Sequence, residues 1–193
     1  MIFLEDLDMY AYDLGIPKWA SPIVIFFIPQ TWAILNYRYG NWIWKKCNIL
    51  FLKQILFVFY FIFKIISQII TGIEISHKSQ IGKGLHIRHM GNIVIGMGKI
   101  GDYSSINNGV TVGAAGRDEK FSFPSIGNFV YFGTGSKVLG KIIIGDNVAI
   151  GANAVVTKSF PDNAVIGGVP AKLISYKSSN HFIYYRKKNK IKN

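Results

Sequence analysis

Few side chains in this 193-residue sequence can move a proton or hold a metal: four histidines (His77, His86, His89 and His181), one cysteine (Cys47) and ten carboxylates. A histidine titrates near neutral pH, so it can relieve an attacking hydroxyl of its proton and pass that proton on. A zinc centre needs at least three converging protein ligands. No three of these histidines have such a spacing, and no metal is expected. The single cysteine excludes an intrachain disulfide framework, fits a reducing, cytoplasmic compartment and reads as a buried apolar residue.

The elements that must position these groups follow a six-residue rule. Aliphatic or aromatic residues recur at Ile75, Ile81, Ile87 and Ile93, resume one residue later at Val94, Ile100, Ile106 and Val112, and return as Ile126, Phe132, Val138, Ile144, Ile150 and Val156. Neither a 3.6-residue helix nor a two-residue strand has this period. A β-helix does, each hexad forming one short flat face and a corner. Glycine often follows the repeat position, as at Gly82, Gly101, Gly127 and Gly145, which suggests corners that need positive φ. Small or aliphatic residues four places after the repeat position, such as Ser79, Ser104, Val130, Ser136 and Ala154, suit the narrow interior of a prism. The fold class is therefore mainly β, a parallel β-helix of hexapeptide repeats behind an N-terminal helical, apolar segment.

Three regions result. Residues 1–72 are apolar and aromatic and hold all four tryptophans. Within them, 49–70 read as one helix whose Lys53, Tyr60, Lys64 and Ser67 share a face opposite a wholly apolar surface, the pattern of a helix lying in a membrane interface or a hydrophobic groove rather than crossing a bilayer. Residues 73–175 are the repeat domain, interrupted by a polar extruded loop at 114–125. Residues 176–193 end in a basic run expected to be mobile. The net charge of +12 points to anionic partners. No nucleic-acid recognition element is present, which leaves anionic lipid and a phosphate-bearing cofactor. The acidic N-terminus does not resemble a cleavable signal, so the expected location is cytoplasmic, with peripheral contact at the inner face of the cell membrane.

Four stretches together, GIEISHKSQIG (72–82), HIRHMGNIVIG (86–96), NNGVTVGAAG (107–116) and GGVPAKLI (167–174), resemble the hexapeptide-repeat acyltransferases, and within them the serine acetyltransferase branch. The resemblance implies a left-handed β-helix assembled as a homotrimer, with active sites at the subunit seams, acetyl-coenzyme A as donor and a hydroxyl as acceptor. It makes His89 the general base. Glu74 matches the family's carboxylate partner; it lies 15 residues earlier, close to one circuit of a three-hexad coil, so the two could approach on stacked coils and Glu74 could orient the imidazole. His77 and His86 gain no role and are expected at the surface. The resemblance also assigns the donor site. Thr134 and Ala152 would bind the pantetheine arm through the backbone. Lys158 and Lys172 would meet the nucleotide phosphates, and Pro170 would pack near the adenine. Gly113 or Ala114 would supply N–H groups to the oxyanion.

Two departures bear on the acceptor. Arg88 stands where serine acetyltransferases have an aspartate before the catalytic histidine, and Phe123 stands where they have a histidine before Pro124. A cation at 88 should repel the ammonium of serine, and Phe123 cannot donate to its carboxylate. With the aromatic faces of Phe121, Phe123 and Tyr131, these departures lead to the expectation of a sugar O-acetyltransferase acting on a cell-surface glycan or its precursor. Serine O-acetylation for cysteine biosynthesis, acetylation of another small alcohol, and a non-catalytic binding coil are the alternatives.

Overall fold

The computed structural model describes residues 2–115 and 122–183. Fifteen short strands wind into a three-sided parallel prism. Its first face stacks β1 (Ile73–Ile75), β4 (Ile93–Ile95), β7 (Thr111–Gly113), β10 (Lys137–Leu139) and β13 (Val155–Val156). The second stacks β2 (Gln80–Ile81), β5 (Lys99–Ile100), β8 (Ser125–Ile126) and β11 (Ile143–Ile144). The third stacks β3 (His86–Ile87), β6 (Ser105–Ile106), β9 (Tyr131–Phe132), β12 (Ala149–Ile150) and β14 (Val165–Gly167), and closes with antiparallel β15 (Lys172–Ser175).

The six-residue series forms the core. Ile81, Ile87, Ile100, Ile106, Phe132, Ile150 and Val156 are buried and belong to one continuous cluster. The slip falls differently from the sequence reading. Ile93 and Ile95 both point inward and Val94 outward, because β4 is a three-residue strand and its alternation places Ile95, not Val94, over Val112.

The corner glycines also act for a different reason. Gly127 and Gly145 do not have positive φ; a Cβ at either would collide with the carboxylate of Asp146 or Asp162 from the next coil. Those side chains form a ladder: Asn128 N–H donates to Asp146 Oδ1 at 2.6 Å, and Asp146 N–H to Asp162 Oδ1 at 2.8 Å. Stacked corners thus satisfy backbone donors that no strand partner reaches. Positive φ falls instead on the residues after the ladder, such as Phe129, Asn147 and Asn163.

The N-terminal helices cap the start of the prism. They are α1 (Ile2–Asp13), a 3₁₀ turn (Lys18–Ile23), α2 (Val24–Phe27), α3 (Gln30–Lys46) and α4 (Leu50–Thr71). Arg38 of α3 fastens this cap. It donates to both oxygens of fully buried Asp6, at 2.8 and 3.0 Å, and to the carbonyls of Ile81 and Gly82. Asp6 in turn accepts Leu85 N–H at 2.8 Å. Gly72 ends α4 in the left-handed conformation, where Gly91 packs too closely for a side chain, and turns the chain into β1.

The extruded loop leaves after β7 and returns before β8; an antiparallel bridge between Ala115 and Ser122 closes its base. Phe121 and the rest of 116–121 lie outside the described residues, as does the basic run at 184–193. Residues 176–183, expected to belong to a mobile tail, pack back on the third face. Ser178 and Ser179 N–H groups donate to Asn163 and Asn147, Phe182 stacks on Tyr131 at 4.6 Å, and Ile183 is buried beside Met9, Tyr103 and Phe129.

Candidate active site

His89 follows β3 at the corner between the third and first faces, with its side chain exposed to a cavity of about 260 Å³. The opposite wall comes from α1 and the Ile28–Gln30 turn: Tyr10, Asp13, Leu14, Ile28 and Gln30. Tyr10 holds the two walls together. Its hydroxyl accepts Ile87 N–H and donates to Ile87 C=O, both at 3.0 Å. This anchor brings Asp13, at the end of α1, into the cavity that holds His89.

His86 is not a surface group. It is 4 % exposed, with its edge against the Tyr10 ring and Nε2 3.3 Å from Asp13 Oδ2. Burial, with Arg88 and His89 adding to it, pushes its pKa down to about 3, so the ring is neutral beside the Asp13 carboxyl. Desolvation raises the pKa of Asp13, and nearby Arg88 works against that rise. The carboxylate keeps 46 % of its side-chain surface exposed toward the cavity.

The other sequence-predicted residues separate into two groups. One group shares the corner of His89. Backbone hydrogen bonds stack the turns there in order: Gly109 N–H to Gly91 C=O, Gly135 N–H to Asn108 C=O, Asn153 N–H to Thr134 C=O, and Val155 N–H to Gly168 C=O. Thr134 and Ala152 therefore stand on the same edge as His89, one coil step of about 4.8 Å apart. They line a groove of about 310 Å³ with Gly133 and Gly151, walled by Phe182. Pro170 sits in the exposed turn at the far end of this edge, next to Ala171, whose N–H donates to Val155 C=O. Lys172 begins β15 with its side chain exposed, and Lys158 is exposed with its ammonium 5.6 Å from the Phe160 ring.

The second group is elsewhere. Gly113 ends β7 and Ala114 follows it at the next corner, on the far side of the first face from His89. Glu74 lies on β1, where Lys64 Nζ at 3.0 Å and Gln68 Nε2 at 3.2 Å hold its carboxylate; among the described residues no hydrogen bond joins it to His89. Ile73 pairs with Ile93, a circuit of 20 residues, so a 15-residue separation falls one corner short of vertical stacking. The carboxylate found beside His89 is Asp13. No spacing rule links residue 13 to residue 89; only the Tyr10–Ile87 contact does.

Arg88 lines the cavity that holds His89, whereas Phe123 is not among its lining residues. The Arg88 guanidinium turns along the third face, donating from Nε to Ser105 Oγ at 3.0 Å and from Nη2 to Phe182 C=O at 2.8 Å. Phe123 fills the space left by Gly96 and Gly98, where a Cβ at Gly96 would stand 3.4 Å from its ring.

Comparison with known proteins agrees with this architecture. The sequence model for the bacterial transferase hexapeptide (six repeats) matches residues 123–158. The serine acetyltransferase of Helicobacter pylori strain J99 is 40 % identical over 162 residues, 82 % of this chain and 86 % of that protein. The crystal structure of serine acetyltransferase from Brucella abortus strain S19 superposes with a TM-score of 0.75 at 28 % identity, covering 92 % of this chain and 69 % of that one. The coenzyme A complex of the same Brucella enzyme gives 0.75 at 28 %, covering 90 % and 66 %. These relatives overturn the expectation of a glycan acceptor. The geometry is compatible with that correction: α1 delivers to the cavity a carboxyl, Asp13, that the residue before His89 does not, and the Arg88 guanidinium in the same lining is engaged by Ser105 and the Phe182 carbonyl.

Proposed function

The chain belongs to the serine acetyltransferase family, and on that premise we propose that it transfers an acetyl group from acetyl-coenzyme A to the hydroxyl of serine. The observation that carries this reading is Asp13, a half-exposed carboxylate in the same cavity as the exposed His89 imidazole. A small amino acid presents an ammonium and a hydroxyl within one short molecule, and this cavity offers one group for each. The His86 ring packs beside this carboxyl, its Nε2 3.3 Å from Asp13 Oδ2, and Asp13 binds the ammonium.

His89 then does the proton chemistry. It takes the proton of the serine hydroxyl as the oxygen bonds to the thioester carbonyl carbon. It returns that proton to the sulfur as the carbon–sulfur bond breaks, giving O-acetylserine and a free thiol. The donor fits the corner edge on which Thr134 and Ala152 stand. The residues there are small, the groove between them is open, and exposed Lys172 lies near the far end for phosphate groups. Gly113 and Ala114 can reach a thioester on this edge only from a neighbouring copy, which supports a trimer with shared sites.

A thiol-release assay with acetyl-coenzyme A and serine tests the reading. Release should depend on serine, and His89→Ala should lower kcat by roughly 10²–10⁴-fold. Donor binding without serine-dependent release, or an unchanged His89→Ala rate, would overturn it.

A further inference from the structure

The amphipathicity of α4 is turned inside out. Its polar groups face the protein: Tyr60 and Ser67 are buried, and Lys64 and Gln68 both bind Glu74 of β1. Its apolar residues face outward, with Phe51 74 %, Phe59 61 % and Ile69 79 % exposed. The helix is 22 residues long, about 33 Å, and this surface exceeds what a soluble monomer leaves in water. Beside it, Leu35, Tyr39, Phe59, Ile62, Phe63 and Ile66 line an apolar groove of about 440 Å³ between α3 and α4.

We propose that this face docks on an anionic lipid bilayer, with α4 lying in the plane of the interface. Charge selects the occupant. Residues 14–73 contain no Asp or Glu; of their cations, Lys18, Arg38 and Lys64 pair with Asp8, Asp6 and Glu74, whereas Lys45, Lys46 and Lys53 have no ion pair among the described residues. Lys45 and Lys46 are exposed at the end of α3 beside exposed Trp42 and Trp44, the pairing of basic and aromatic residues that settles among headgroups. A second copy meeting this face would bring Lys45, Lys46 and Lys53 against the same three cations of its own; anionic headgroups neutralise them directly. The contacts of α4 exclude a crossing. Asn36 Nδ2 donates to Tyr60 C=O, Gly40 lies against the Tyr60 ring, and the Lys64–Glu74 pair ties the helix to the prism, so a span would draw charged and hydrogen-bonded protein surface into hydrocarbon. The groove beside α4 is apolar and suits the end of an acyl chain.

Flotation of the full chain with phosphatidylcholine vesicles, with and without phosphatidylglycerol, tests this independently of any turnover. The protein should float with the phosphatidylglycerol vesicles, less so at high salt. The double variant Ile65→Glu/Ile69→Glu should stay at the bottom with unchanged helical circular dichroism. Lys45→Gln and Lys46→Gln should each weaken binding to the anionic vesicles roughly fivefold. The proposal fails if the wild type floats with neither vesicle, or if the double variant floats as well as the wild type. If the wild type does not float but forms a larger assembly that Ile65→Glu/Ile69→Glu splits, a second copy covers the face and the lipid reading is wrong.

Discussion

Acidifying from pH 7.5 to 5.5 should weaken the fold through one side chain, His86. Its ring is almost completely buried, and its pKa falls from an ordinary 6.5 to about 3 in the folded chain. The folded state therefore binds this proton less tightly than the unfolded state. The contribution to stability is complete above pH 6.5 and is lost as the pH falls toward 3. At pH 5.5 the unfolded ring is one unit below its pKa, which corresponds to a loss of about 1.4 kcal/mol relative to pH 7.5. Asp13, whose pKa is raised by desolvation, works in the opposite sense, since the folded state holds its proton more tightly; it is present in both the wild type and a His86 variant, so a comparison of the two sets it aside. Urea unfolding of the wild type and His86→Gln at the two pH values isolates the effect, because glutamine is polar and does not titrate. The wild type should lose about 1.4 kcal/mol more than the variant, or roughly 3–6 °C in Tm for a chain of this size. An ion pair between a charged His86 and Asp13 predicts the reverse sign. If the wild type gains stability relative to His86→Gln as the pH falls, or if the two change in parallel, the neutral-histidine account is wrong.

Arg38→Met should cost about 3–5 kcal/mol in urea unfolding, because it leaves the fully buried Asp6 carboxylate without its cation; a loss below 1 kcal/mol would show that the cap is held some other way. Asp13→Asn should raise KM for serine roughly 10- to 100-fold, the usual worth of a hydrogen bond to a charged group, with KM for acetyl-coenzyme A unchanged; steady-state thiol release measures both, and an equal effect on the two would remove Asp13 from the ammonium site. Gly40→Val should destabilise by about 1–3 kcal/mol, since its side chain would overlap the buried Tyr60 ring; thermal unfolding by circular dichroism should show a lower Tm, and an unchanged one would mean that α3 and α4 separate freely.

The prism was legible before any coordinates because its physics is local and repeated. Each coil needs one inward apolar residue and one tight corner, so a linear series from Ile75 to Val156 encodes the stack. The donor residues Thr134 and Ala152 came from the family resemblance, and the structure places both at equivalent corner positions in successive coils. Where the repeat breaks, the reading slipped. Val94 was placed in the core because a six-residue count cannot see that a three-residue strand offers two inward positions. The family match sets Glu74 beside His89, and a 15-residue separation reads as close to one three-hexad circuit, but the circuit at that coil is 20 residues. The corner glycines were recognised, but their cause lies in the next coil, in carboxylates such as Asp146 that a Cβ would strike.

The acceptor side depended on contacts between distant segments. Residue type alone made Arg88 a repulsive cation and His86 a surface group; packing turned the first toward Ser105 and Phe182 and buried the second beneath Tyr10. Sequence by itself determined the coil and the apolar character of α4, because each is written in neighbouring residues or a fixed period; the base candidate came from the resemblance of the motif around His89. Tertiary structure alone decided which carboxylate joins His89, which way the Arg88 charge points and which face of α4 meets the surroundings. These depend on how the helical cap docks on the first coil, through the Asp6–Arg38 pair and the Tyr10 hydroxyl, and no local spacing encodes that docking.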